Sequence, residues 1–473
     1  MHAPHMRAAA TTFPAPSRGC VTSTRAHPPA SNPRADAPTR RPSPVIAPVF
    51  SRPRRTDPRA SVSSSASSMS ASASGSVEAP DANVPRPARV FACSDIHTDF
   101  PENLEWVRSL SDVDFRGDAV ILGGDVSDDL EVLETTLRLF ACKFAHAFFV
   151  CGNHDLWTRS RGGEHRHADS MEKLDEVLRV CEACGVRTSP TLLNRDAGAD
   201  GGAVWVAPVL GWYHESFDTE PDIPESVSTV RPPRLVMSDY KLCRWPEGLD
   251  PTDESVAAAL DRVNDERLGW GDFLRALRGG DEVERRAPVL SFSHFLPRLE
   301  LCPEKRYLFY PNLPKAVGSE YILRRIRGLA AEGGRTAASG SGSGSESVRG
   351  SISKSAARAA REHVHVFGHT HFGWDHTIDG IRYIQAPVSY PHEWKQRPGS
   401  LTVGPDSLGT AFDLSTRLDA SDAPLCVWAP QSEGRGGFAK EMRARWSDHY
   451  KENPRRPEDT ELMWWVKGGR RSK

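Results

Sequence analysis

The chain has 473 residues, 60 Lys+Arg against 62 Asp+Glu, and a formal charge of −2. That balance argues against a protein built wholly around nucleic acid. The longest apolar runs fall well short of a membrane-spanning helix, and nine scattered cysteines do not form a disulfide framework and fit a reducing compartment. Length alone allows about three units of 150 residues, but the 38% hydrophobic content, with 37 Gly and 37 Pro, says that part of the chain is not core.

The averages hide an asymmetry. Residues 1–80 hold ten arginines, no lysine and three acids (Asp36, Asp57, Glu78), a charge of +7 that leaves −9 for the rest. Their Ser runs and Pro spacing permit no useful helix or strand. An Arg- and Ser-rich, acid-poor leader is the composition of an organellar transit peptide. Its Ser and Pro content favours a chloroplast over a mitochondrion; an ordinary tail would leave the protein cytoplasmic.

From Ala88 short apolar runs alternate with longer periodic stretches. Strands are expected at 89–93, 119–122 and 147–151, with helices at 102–110, 130–144 and 171–184 between or after them. In 130–144, Leu130, Leu133, Leu137 and Phe140 fall at helical spacing. Later strands are expected at 203–207, 289–292, 364–367 and 381–385. Strand–helix–strand repeats of this size imply crossover units and a buried sheet. Residues 211–250, with many Pro and acids, read as a long surface excursion, and 331–356 as a disordered Gly/Ser linker. One domain is therefore expected over 88–428, followed by a charged tail, 429–473, with Trp446, Trp464 and Trp465 as a docking segment.

Each expected strand ends in residue types that bind metals. The first gives Ser94-Asp95-Ile96-His97, the second Gly123-Gly124-Asp125 through Asp128, and the third Gly152-Asn153-His154-Asp155. Ser293-His294 and Gly368-His369-Thr370-His371 follow. Donors at the carboxyl ends of successive strands are where an open α/β sheet places its site. The steps Asp95 to Asp125 (30 residues) and Asp125 to Asn153 (28) each span one strand–helix–strand unit.

In order and spacing these residues resemble the five motifs of the calcineurin-like metallophosphoesterase superfamily: D-x-H, G-D-x-x-D, G-N-H-D/E, a lone H, and G-H-x-H. The resemblance implies an α/β fold of two packed β-sheets flanked by helices, αββα in four layers. It implies a phosphate-ester substrate and two metal ions drawn from Mn, Fe, Zn or Mg. By that likeness Asp95, His97 and His371 hold the first metal, Asn153, His294 and His369 the second, and Asp125 bridges. His154 would be the histidine that stabilises the transition state and protonates the leaving oxygen, and Asp128 the carboxylate that orients it. Gly124, Gly152 and Gly368 are expected to let the backbone turn sharply.

The physical logic stands beside the likeness. A phosphate ester repels an incoming hydroxide, and two cations about 3.5–4 Å apart bind the phosphoryl oxygens and acidify a water between them. Asp129-Leu130 stands where Ser/Thr protein phosphatases carry Arg-Gly, and Asp128 where purple acid phosphatases carry a tyrosine ligand; both subgroups are disfavoured. Monoester, diester and nucleotide substrates all stay open. So do a nuclease or nucleotide phosphodiesterase of the same fold, with nucleic acid not favoured, and a catalytically silent binding module. His363 and His365 are expected to be structural, and His165, His167, His214 and His376 solvated. Cys181 and Cys184 lack the second pair of a zinc site. Tyr390-Pro391-His392-Glu393 could equally rim the pocket or form a turn.

Overall fold

The computed structural model describes residues 88–159, 166–224, 230–332, 361–391, 393, 424–430, 436–463 and 466. The leader, the Gly/Ser linker apart from its first two residues, His165, His392, Trp464 and Trp465 lie outside them. Strands β1 (Val90–Cys93), β2 (Ala119–Leu122) and β3 (His146–Phe149) pair in parallel. Helix α1 (Pro101–Ser109) and helix α2 (Leu130–Lys143) make the crossovers, and α3 (Ser170–Cys184) follows β3. All of β1 and β2 is buried, as a strand covered on both faces must be. Asp129 accepts the Glu131 and Val132 N–H groups as the N-cap of α2, which gives this departure from the Arg-Gly pattern a local structural reason.

The second sheet runs β4 (Thr191–Leu193), β5 (Val204–Pro208), β6 (Val289–Phe292), β7 (His363–Phe367), β9 (Ile381–Gln385), β8 (Trp374–Ile378) in space. Its core from β5 to β9 is parallel, and β4 and β8 close the edges antiparallel. β10 (Leu425–Pro430) and β11 (Gly436–Phe438) complete the first sheet beside β1. The fold is thus α/β, two mixed sheets flanked by helices. The sheets meet at the end of β1, where Ser94 N–H donates to Ala386 O (3.3 Å) and Val388 and Ser389 donate to Ser94 and Asp95 carbonyls (2.9 Å each). Among the described residues, no helix is long and apolar enough to cross a membrane.

The expected strands at 119–122, 289–292 and 381–385 match β2, β6 and β9, and the others shift by one or two residues. His363 and His365 are structural: Ser291 Oγ lies 2.7 Å from His363 Nε2 and 2.8 Å from His365 Nδ1, and Ser293 Oγ 2.9 Å from His365 Nε2. His214 is not the solvated residue expected. It is fully buried, with Nε2 2.8 Å from Glu320 Oε2, because the chain after β5 turns inward beside Trp212 and Tyr213. Much of 211–250 follows it: Phe217, Met237 and Asp239 are buried too. In the tail, the helix Arg445–Glu452 packs on β8 and buries Trp446 against Tyr307 and Tyr450.

Candidate metal centre

All seven expected ligands and His154 converge where the two sheets meet, each buried except His369, which is half-buried. Asp95, His97 and His371 form one group, and Asp125, His294 and His369 another; within each, the donor atoms lie within 4.8 Å of one another. His97 Nε2 and His371 Nε2 are 3.1 Å apart, and Asp95 Oδ1 is 3.5 Å from His371 Nε2. On the other side Asn153 Oδ1 is 3.0 Å from His294 Nε2 and 2.9 Å from His369 Nδ1. Asp125 Oδ2 is 3.4 Å from His294 Nε2 and 3.9 Å from His154 Nε2. His97 and His154 belong with Asp125 to a third such group, so Asp125 links both sides.

The outward nitrogens fix which imidazole atom faces inward. His294 Nδ1 faces Gly123 O (2.9 Å), His369 Nε2 faces Ala316 O (2.8 Å), and His371 Nδ1 faces Glu393 Oε2 (2.8 Å). A carbonyl or carboxylate must receive an N–H, so the other ring nitrogen of each presents a lone pair to the centre. The carboxylates are fixed in turn: Asp95 Oδ1 accepts the His369 N–H (2.8 Å), its Oδ2 the Ser94 hydroxyl (2.6 Å), and Asp125 Oδ1 the His154 N–H (2.9 Å).

The backbone is unusual at the same residues. Asp95 (φ 53°), His97 (46°), Asp125 (53°), His369 (76°) and His371 (57°) are all left-handed, a conformation that non-glycine residues adopt at a cost of about 1–3 kcal/mol each. Gly124 also has positive φ, at 84°, and a Cβ there would sit 2.6 Å from His294 Nδ1. Gly152 and Gly368 are not left-handed. They are glycines for space: a Cβ on Gly152 would overlap Asp125 Oδ1.

The electrostatics favour cations. Burial, then the Asp155 and Asp95 carboxylates, push Asp125 well above the ordinary carboxylate range, and burial raises Asp95. Burial, then His369, drives His294 well below the usual imidazole range, and burial takes His369 down to about 4. Adjacent buried carboxylates facing imidazoles form a mixed oxygen and nitrogen donor set that metal ions fit.

Three positioning groups were not assigned from sequence. Asp155, the last residue of the third motif, is fully buried and accepts the N–H groups of Gly152 (2.7 Å), Asp125 (2.9 Å), Val126 (2.9 Å) and Ser127 (3.1 Å), binding two ligand loops together. Glu393 holds His371, and Tyr390 stacks on His97 with centroids 4.3 Å apart while its hydroxyl lies 3.3 Å from His154 Nε2; Tyr390 and Glu393 therefore line the centre. Asp239 is the third. It accepts Asn153 Nδ2 (2.9 Å), Trp157 Nε1 (2.7 Å) and Tyr213 OH (3.0 Å), which turns Asn153 Oδ1 toward the histidines. Burial pushes its carboxyl upward and these three donors pull it back. Only the motif position could have flagged Asp155, and nothing local marks Asp239. Asp128 lies half-buried on the same loop as Asp125, and its carbonyl accepts Lys173 Nζ (2.7 Å).

Asp239→Ala would free the Asn153 amide to rotate and leave three buried donors without their acceptor. Metal affinity is expected to fall about 10–100-fold, read by competition with a chromogenic chelator. Unchanged affinity would remove Asp239 from the assembly.

Residues 88–234 match the family model described as Calcineurin-like phosphoesterase. That family is a class of metal-dependent phosphoric ester hydrolases, and the five motifs in order and the two-sheet α/β fold agree with the match. Among curated proteins it is similar to the [Acyl-carrier-protein] phosphodiesterase PptH of Mycobacterium tuberculosis, 26% identical over 322 residues, which cover 65% of this chain and 80% of that protein. Among solved structures it is similar to the Mycobacterium tuberculosis phosphopantetheinyl hydrolase PptH (21% identity, 67% of this chain and 94% of the other, TM-score 0.46). It is also similar to a putative 5'-nucleotidase from Staphylococcus aureus (12% identity, 63% and 48%, TM-score 0.29).

Proposed function

We propose that the chain is a dinuclear phosphodiesterase that releases a phosphate-linked group from a carrier protein. The observation that carries the dinuclear part is the double cluster of inward-facing donors joined by Asp125. Asp95, His97 and His371 would hold one divalent cation, Asn153, His294 and His369 the other, with Asp125 between them. Bound there, the ions supply phosphoryl charge neutralisation and an acidified water.

The chain's own residues do the rest. His154 is held by a 3.7 Å stack on Trp157, and its Nε2 points past Asp125 toward the Tyr390 hydroxyl. From there it donates a proton to the departing oxygen, with Asp128 in the orienting role that the motif implies. Trp157 and Tyr390 flank His154, which is buried. The diester and carrier-protein parts are supported by the similarity to the mycobacterial phosphodiesterase.

The test is metal analysis of the full chain after loading with Mn, Zn, Fe or Mg, followed by a panel of monoesters, diesters, nucleotides and a 4′-phosphopantetheinyl carrier protein. About two ions per chain and turnover of diesters over monoesters are expected. A chain that takes up no metal and leaves every ester intact sinks the reading.

A further inference from the structure

Resting on the carrier-protein reading above, we propose that the surface around Leu235 and Phe309 docks an acidic carrier protein and aims its phosphodiester arm at the metal centre. Between residues 230 and 246 the chain has four basic residues, Arg231, Arg234, Lys241 and Arg244, and one acid, Asp239. The four bases are exposed, whereas Asp239 is buried against Asn153. This stretch therefore presents a purely cationic face, although the chain beyond residue 80 sums to −9.

Apolar surface accompanies the charge. Leu235 is 53% exposed and Phe309 46%, two of the three large hydrophobics that stand out among the described residues. They lie on one neighbourhood. The Tyr310 hydroxyl, one residue beyond Phe309, and Asn312 Nδ2 both donate to Arg231 O, at 2.9 and 3.2 Å, and Lys241 Nζ reaches Leu235 O at 3.5 Å. Exposed apolar side chains beside these four cations fit an anionic protein face with a few apolar side chains of its own.

The patch borders the site through two structural links. Helix α5 (Asp239–Leu242) turns Asp239 inward to Asn153 and Lys241 outward. Helix α4 (Pro233–Val236) packs on the turn Leu313–Ala316, whose Ala316 carbonyl faces His369 Nε2. A partner seated here stands next to the second ligand cluster, the placement that a substrate tethered to a protein requires.

The experiment compares R231E/R234E/K241E with the wild type, both metal-loaded, on a 4′-phosphopantetheinyl acyl carrier protein and on bis(p-nitrophenyl) phosphate. Expected is a rise of about tenfold or more in KM for the carrier protein at low salt. The kcat on the carrier protein and all kinetics on the small diester should stay unchanged. Unchanged KM overturns the proposal, and so does an equal loss on both substrates. Binding of labelled carrier protein, followed by fluorescence anisotropy, decides the surface even if no hydrolysis occurs: weaker binding by the variant supports it, and equal or absent binding overturns it. A wild type that binds the carrier but cleaves neither ester overturns the proposed activity alone. A single-stranded nucleic acid that binds with the same sensitivity to the three substitutions also overturns the carrier assignment.

Discussion

Asp125→Asn is expected to lower metal retention to one ion or none per chain and to reduce kcat/KM at least about 10³-fold. That factor corresponds to about 4 kcal/mol, within the several kcal/mol that metal charge contributes at a phosphoryl transition state. The reason is positional. Among the described residues Asp125 is the carboxylate grouped both with His97 and with His294 and His369, so its loss weakens two sites at once. Stability should move differently. In chelator the wild type buries Asp125 beside Asp155 and Asp95, whose charges raise its proton affinity. The amide removes that repulsion and can still accept the His154 N–H, so the metal-free variant should melt no lower than the metal-free wild type. Added metal should stabilise the wild type more than the variant, each occupied site contributing about 2.7 kcal/mol at a hundred times its dissociation constant. A variant that keeps two ions and near-normal turnover would refute the bridging role.

His154→Ala is expected to keep both ions and to lose about 10²–10⁴-fold in kcat, the usual range for a positioned acid. His154 lies in one group with His97 and Asp125, so metal content is the measurement that separates an acid from a ligand. A p-nitrophenolate departs without needing a proton, whereas an alkoxide does not. The loss should therefore be smaller on bis(p-nitrophenyl) phosphate than on an alkyl diester. If the metals leave with the imidazole, or if both esters suffer alike, His154 is not the proton donor.

The site was legible because parallel strands repeat on a scale that sequence can display. Asp95, Asp125 and Asn153 sit at the ends of β1, β2 and β3, and one crossover separates each from the next. His294 and His369 follow β6 and β7 in the same way. What sequence did not display depends on contacts across the fold. Asp239 lies 86 residues from Asn153, inside a Pro-rich stretch with no period, so its carboxylate looked like any surface acid. His214 looked like a loop residue because the inward turn after β5 is decided by packing against Trp212 and Tyr213, not by local pattern. The edge strands β4, β8 and β11 each add antiparallel to a neighbour's unpaired edge, and short runs alone do not announce that. At Gly152 the constraint is the volume of Asp125 rather than the positive φ that a sharp turn would require.

The five left-handed residues at the centre have a consequence for how this protein can change over generations. At Asp95, His97, Asp125, His369 and His371, a glycine would relax the chain and so favour the fold, yet each such exchange deletes a donor atom. Sturdiness and chemistry thus pull in opposite directions at the same five codons. A lineage freed from its catalytic duty should drift toward glycine at these positions first, so the backbone angles mark where disuse would show.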